Sequence, residues 1–115
     1  LDITHCVVSK DRRYLYSCGK DKVIKKWNIS TSNCDATLTG HESEIFCLAL
    51  TPDGKFLYSG DESGTIRNWN LSTLECVATL EDHGSRITQL CTFSNAENNC
   101  LVSWSTDGTV KKWNQ

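Results

Sequence analysis

The side chains that could do chemistry in this chain are seven cysteines, three histidines and several aspartates, two of which directly precede glycine in turns. Cysteine thiolates ligate metals or form disulfides, histidine with serine and aspartate builds a nucleophilic triad, and paired carboxylates perform acid–base catalysis. The cysteines, Cys6, Cys18, Cys34, Cys47, Cys76, Cys91 and Cys100, are odd in number, and no two stand two to four residues apart. Structural zinc needs such close pairs, and a disulfide framework needs an even count. Most of the seven lie in apolar-alternating runs where cysteine behaves as a small hydrophobe, so reduced packing thiols in an intracellular protein are expected. Asp53 and Asp107 each precede a glycine and read as turn formers, not as paired acids. With no phosphate-binding loop and no metal-ligand box, neither cofactor nor metal is expected.

The elements that hold these residues follow from an internal repeat. Sliding the sequence by 42 positions pairs residues 1–45 with 17 identities. Unrelated sequences of ordinary composition would give roughly two or three. Trp27 and Trp69 are 42 apart, Trp113 follows 44 later, and His41 and His83 keep the 42 step. Within the middle unit, Ile45–Leu50, Phe56–Gly60, Thr65–Trp69 and Cys76–Leu80 read as strands separated by the turns at Pro52-Asp53-Gly54, Ser63-Gly64 and Ser72-Thr73. The first unit repeats them as Ile3–Val8, Tyr14–Cys18, Val23–Trp27 and Cys34–Leu38; the third offers Ile87–Phe93, Cys100–Trp104 and Thr109–Trp113. No segment carries a helical apolar stripe, so the fold class is all-β, with antiparallel four-stranded propeller blades. The units are residues 1–38, 39–80 and 81–115, the last without its outer strand.

Composition removes several functions. The 115 residues carry 12 basic and 14 acidic side chains, with no basic run longer than two, so nucleic-acid binding is not expected. No stretch of 18 apolar residues exists to insert into a membrane as a helix. Residues 1–5 lack a basic flank, an apolar core and an initiator Met, which predicts a chain beginning inside a longer intracellular protein, cytoplasmic or nuclear.

Read together, Gly40-His41, Pro52-Asp53-Gly54, Ser59-Gly60, Asp107-Gly108 and the pairs Trp27-Asn28, Trp69-Asn70 and Trp113-Asn114 resemble the WD-repeat family of β-propellers, with Asn for the usual Asp after each Trp. The resemblance covers essentially the whole chain, about 2.7 repeats. It implies a polar network of Trp, Ser, His and Asp in each blade. By motif position that network is His83, Ser103, Asp107 and Trp113 in the third unit, and Ser17, Asp21 and Trp27 in the first, whose His would precede residue 1. The middle unit has His41, Ser59 and Trp69 but Ser63 where Asp is expected, which predicts a shorter or weaker network there. A hydrolase triad uses the same residue types, yet it is needed once at a cleft and not once per blade with a Trp in series. No catalytic residue and no enzyme activity are therefore expected.

The departures from the family pattern are Lys26, Asn68 and Lys112 before the Trp, where an aliphatic residue is common, Asp82 in place of Gly, and the longer connection at residues 95–99. The resemblance also implies a platform that meets partners through loops on one face. Glu42, Glu44, Phe46 and Glu62 map there in the middle unit, Lys20 in the first, and Arg86, Thr88, Trp104 and Thr106 in the third. Glu42, Glu44, Asp61 and Glu62 form an acidic patch suited to basic peptide segments, or a merely solvated edge. Phe46 and Trp104 are either exposed anchors or packing between blades.

The function expected is a non-catalytic protein-interaction scaffold, one arc of a larger ring whose remaining blades complete it. The alternative is a regulatory or substrate-receptor segment of a multidomain enzyme such as a ubiquitin ligase or kinase. Closed propellers need about four to eight blades, and these 11 strands make fewer than three. Alone, such an arc is expected to be weakly stable or self-associating through its exposed blade flanks; a ring closed by several copies would leave each junction one strand short unless blades were shared irregularly.

Overall fold

The structure is a computed structural model that describes residues 3–81, 84–94 and 99–114. Residues 82, 83 and 95–98 therefore lie outside it, and with them the expectations for Asp82, His83 and most of the variable connection. Eleven strands run through the described residues: β1 Ile3–Val8, β2 Tyr14–Gly19, β3 Ile24–Asn28, β4 Cys34–Leu38, β5 Ile45–Leu50, β6 Phe56–Asp61, β7 Ile66–Asn70, β8 Glu75–Leu80, β9 Ile87–Ser94, β10 Asn99–Ser105 and β11 Val110–Asn114. They form three antiparallel sheets in chain order, β1-β2-β3-β4, β5-β6-β7-β8 and β9-β10-β11. Among the described residues there is no helix. These are the expected propeller blades, and the ring they begin is not closed.

Two apolar layers join the sheets. Tyr16, Cys18, Ile24 and Leu38 of the first meet Ile45, Leu48, Leu57 and Trp69 of the second. Cys47, Ala49, Tyr58 and Ile66 on the other face of the second meet Ile87, Leu90 and Leu101 of the third. The middle sheet is thus buried on both faces, which is why Ile45–Leu50 reads as a nearly continuous apolar run instead of a strict alternation. A bulge between Ile45 and Cys47 shifts the register, so that Ile45 and Leu48 face one neighbour while Cys47 and Ala49 face the other. Gly60 keeps the second joint tight: a Cβ there would lie 2.6 Å from the Ile87 side chain and 2.8 Å from Cys47 Sγ.

The inner strands β1, β5 and β9 lie side by side, β5 in the middle. An edge strand leaves backbone groups unpaired, and here neighbours supply the partners. Leu48 N–H donates to His5 Nδ1 at 2.9 Å, and the Thr92 hydroxyl donates to the Leu50 carbonyl. Turns complete the sheets. Gly54, Gly64 and Gly108 take positive φ, and in the first unit Arg12 and Lys22 take it at the places of Gly54 and Gly64, with φ of 62° and 68°. All seven cysteines are free thiols; Cys18, Cys47 and Cys100 are buried, one in each sheet.

Candidate functional site

The polar network of the middle sheet is built by strand alternation. Ser59 and Asp61 are two residues apart on β6 and project from the same face. Trp69 stands on the neighbouring β7, and His41 lies in the segment between β4 and β5. The Trp69 indole N–H donates to Ser59 Oγ at 2.8 Å. Ser59 Oγ makes a short hydrogen bond with His41 Nε2, and His41 Nδ1 lies 2.8 Å from Asp61 Oδ2. A carboxylate can only accept, so His41 Nδ1–H donates to Asp61.

The far carboxylate oxygen is equally engaged. Asp61 Oδ1 accepts from the Ser63 amide at 3.0 Å, the Ser63 hydroxyl at 2.7 Å and the Thr65 amide at 2.9 Å. Burial by itself would raise the Asp61 pKa, but the hydrogen bonds from His41, Ser63 and Thr65, with the field of His41, hold it below the ordinary carboxylate value. The His41 and Asp61 side chains are only 1% and 3% exposed. Every polar atom in this chain of contacts has a partner, which is the condition for a buried network to rigidify its surroundings.

This arrangement corrects one expectation. The network of the middle unit is not shortened by Ser63, because Asp61 supplies the carboxylate and Ser63 serves it as a donor. In the third unit the same two turn positions hold the residues in the opposite order, Ser105 and Asp107. There Asp107 Oδ1 accepts from the Ser105 hydroxyl at 2.6 Å, the Thr109 amide at 2.9 Å and the Thr109 hydroxyl at 2.6 Å. Asp61 stands two residues before the motif position, and its two-residue spacing from Ser59, which puts both on one face of β6, is the sequence signal for it. A second correction concerns the acidic patch: Asp61 is buried at its base and is no part of an exposed surface.

Of the other network candidates, the two remaining tryptophans each meet a serine. Trp27 Nε1–H donates to Ser17 Oγ at 2.8 Å and Trp113 Nε1–H to Ser103 Oγ at 3.1 Å. Asp21 lies 3.8 Å from Lys25 Nζ in an exposed turn. Ser59, His41 and Asp61 reproduce the connectivity of a hydrolytic triad, but Ser59 is 0% exposed and its Oγ already accepts an indole N–H. A substrate carbonyl has no approach to it, so what the geometry delivers is rigidity.

Of the partner-binding candidates, the structure brings Phe46, Glu62 and Arg86 together across the joint between the second and third sheets. The Arg86 guanidinium lies 4.2 Å over the Phe46 ring, and its Nη2 is 3.7 Å from Glu62 Oε1. Phe46 is half-buried beneath that arginine and is not a bare anchor. Backbone bonds tie the turns around it, Glu62 N–H to the Glu44 carbonyl at 2.9 Å and Thr106 N–H to the Arg86 carbonyl at 3.0 Å. Thr88 Oγ1 donates to the Trp104 carbonyl at 3.3 Å, and Trp104 is half-buried. Glu42 and Lys20 are exposed on turns at the same end of the sheets, outside this cluster.

Comparison with known proteins points in one direction. The sequence profile described as WD domain, G-beta repeat matches three times, at residues 1–28, 32–70 and 74–114. The chain is 52% identical over 46 residues to the nuclear distribution protein PAC1-2 of Uncinocarpus reesii, a stretch covering 38% of this chain and 10% of that protein. It is 44% identical over 46 residues to the nuclear distribution protein nudF 2 of Penicillium rubens, again 38% of this chain and 10% of the relative. An uncharacterized WD repeat-containing protein of Schizosaccharomyces pombe is 47% identical over 38 residues, which is 33% of this chain and 10% of that protein. The matched stretch thus spans a tenth of the length of each of these relatives.

Proposed function

This chain belongs to the WD-repeat family, and from that premise we propose that it is a non-catalytic protein-interaction scaffold, an arc of a larger intracellular propeller that displays one loop face to peptide segments of partner proteins. The observation that carries the reading is the Phe46–Arg86–Glu62 cluster, an aromatic–cation–carboxylate contact fixed across two blades at the end where Glu42 and Glu44 also lie. Below it the His41–Asp61 network ties down the turn that carries Glu62 through the Ser63 and Thr65 amides. A face of this kind recognises partners by charge and by a partly covered aromatic, and Glu42, Glu44 and Glu62 favour basic segments. The relatives named as nuclear distribution proteins support an intracellular setting.

The test is a peptide array probed with the full-length polypeptide that carries these residues and with its Glu44→Lys, Glu62→Lys variant. Basic peptides should lose signal by about tenfold in the variant. Retention of every bound peptide by the variant overturns the reading. The alternative, a regulatory or substrate-receptor segment of a multidomain enzyme, is decided by the parent reading frame: a ligase-adaptor or kinase domain on the same polypeptide would establish it.

A further inference from the structure

At the opposite end of the sheets the first joint opens into a cleft of about 690 Å³ between the β1–β2 and β5–β6 turns. Its floor is apolar: Tyr14, Leu50 and Leu71 are half-buried and pack on the core of the first joint. Its walls carry Lys10, Lys26 and Lys55. Lys26 Nζ sits 4.1 Å over the Tyr14 ring, so one cation is fixed directly above the apolar floor. Among the described residues none of these three lysines makes a salt bridge.

The charge around this cleft runs against that of the chain. Asp11 and Asp53 also line it, each turned back into its own loop. Asp11 accepts from the Ser9 hydroxyl at 2.6 Å and the Arg13 amide at 3.0 Å; Asp53 accepts from the Thr51 hydroxyl at 2.6 Å and the Lys55 amide at 3.0 Å. Arg12 and Arg13 add two exposed cations on the β1–β2 turn. Three cations thus face two carboxylates in the lining, with the two arginines on the adjoining turn outside it, whereas the whole chain has a net charge of −2. The second joint does not repeat the arrangement, because Asn68 stands where the first has Lys26. Lys26 is, with Asn68 and Lys112, one of the polar departures from the family pattern to which the loop face gives no role.

We propose that this cleft is a docking site for an acidic segment of a partner protein, with an aliphatic or aromatic side chain of that segment seated on Tyr14, Leu50 and Leu71 and its carboxylates facing the three lysines. An apolar floor ringed by cations matches an anchor residue flanked by Asp or Glu, since the floor supplies affinity and the rim supplies selection. A phosphodiester backbone would use the cations but leave the floor uncovered.

The experiment measures fluorescence anisotropy of short labelled peptides with Asp and Glu around one central Phe, added to the full-length polypeptide that carries these residues. Lys-for-acid versions of the same peptides and an oligothymidine of matched charge serve as competitors. The acidic peptide should bind at least about tenfold more tightly than its basic counterpart, weakening as salt shortens the Debye length. Lys55→Glu, an exposed change, and Lys26→Glu should each lower that affinity severalfold, while Glu81→Lys, an exposed change beyond the end of β8, leaves it unchanged. Thermal unfolding of each variant identifies any that fails to fold. Absence of binding, equal binding of acidic and basic peptides, competition by oligothymidine at equal charge, or insensitivity to Lys55→Glu each overturns the proposal.

Discussion

The middle sheet and the first sheet share most of their core residues, yet they treat the same tryptophan differently. Trp69 is 2% exposed and its indole bond runs on through Ser59 to a buried His41–Asp61 pair. Trp27 makes the same bond to Ser17, but it is half-buried and Lys25 Nζ lies 5.9 Å over its ring. The middle sheet takes glycine at its two positive-φ turn positions, Gly54 and Gly64; the first takes Arg12 and Lys22. A polar chain of this kind is worth its desolvation only where every member is satisfied and water is excluded from both sides. A sheet packed between two neighbours meets that condition, so the difference is one of context as much as of residue type.

The sharpest way to break the comparison is Asp61→Ala, which leaves His41 Nδ1 buried without its acceptor. A loss of roughly 3–5 kcal/mol by urea unfolding is expected, the range for removing one member of a buried pair. Asp107→Ala, at an exposed turn, should cost about 0.5–2 kcal/mol. Equal losses would show that the buried pair gives the middle sheet nothing special. Acid titration reads the same contribution. Because the folded pKa of Asp61 lies below its ordinary value of 3.8, its stabilisation is complete above that pH and is lost as pH falls through the depressed folded value. Asp11 and Asp53 are lowered too, by the Ser9 and Thr51 hydroxyls first and the following amides next, so the difference curve against Asp61→Asn isolates the network.

Smaller effects sharpen the contrast. The double exchange Asp61→Ser with Ser63→Asp installs the order seen at Ser105 and Asp107. It should recover about 1–3 kcal/mol of what Asp61→Ser alone loses, a coupling measurable by a double-mutant cycle. Strict additivity would mean the two positions do not communicate. Trp69→Phe should cost about 1–3 kcal/mol and Trp27→Phe about 0.5–1.5 kcal/mol, because the first leaves the fully buried Ser59 hydroxyl short of a donor while Trp27 is half-buried. Last, Lys22→Gly should stabilise the chain by about 0.5 kcal/mol, relief of positive-φ strain offset in part by the entropy of glycine. A loss of stability there would mean that the Lys22 side chain makes contacts outweighing its strain.

Much of the fold was legible because its signals are periodic. The 42-residue step fixed the unit, and strands such as β1, β4 and β5 fall where alternation and turn residues put them. The network was legible at Ser17, Ser59 and Ser103, each ten residues before its Trp. Asp61 was not, because a residue exchange across a turn preserves the chemistry while moving the letters. The Phe46–Arg86 stack joins residues 40 apart, and nothing in either strand's pattern encodes how neighbouring sheets are turned. The lysine-rimmed cleft was hidden for the same reason, since Lys10, Lys26 and Lys55 come from three separate elements.

The three buried thiols give the molecule a built-in set of chemical clocks. Cys18, Cys47 and Cys100 sit one per sheet, and burial above all, then the charges of Cys18 and Asp61, pushes Cys47 up to about 12. A thiol so placed reacts with a labelling reagent only when its surroundings open. The order in which Cys18, in the first joint, and Cys47, in the second, are modified under native conditions therefore times the parting of the two joints without a single introduced probe.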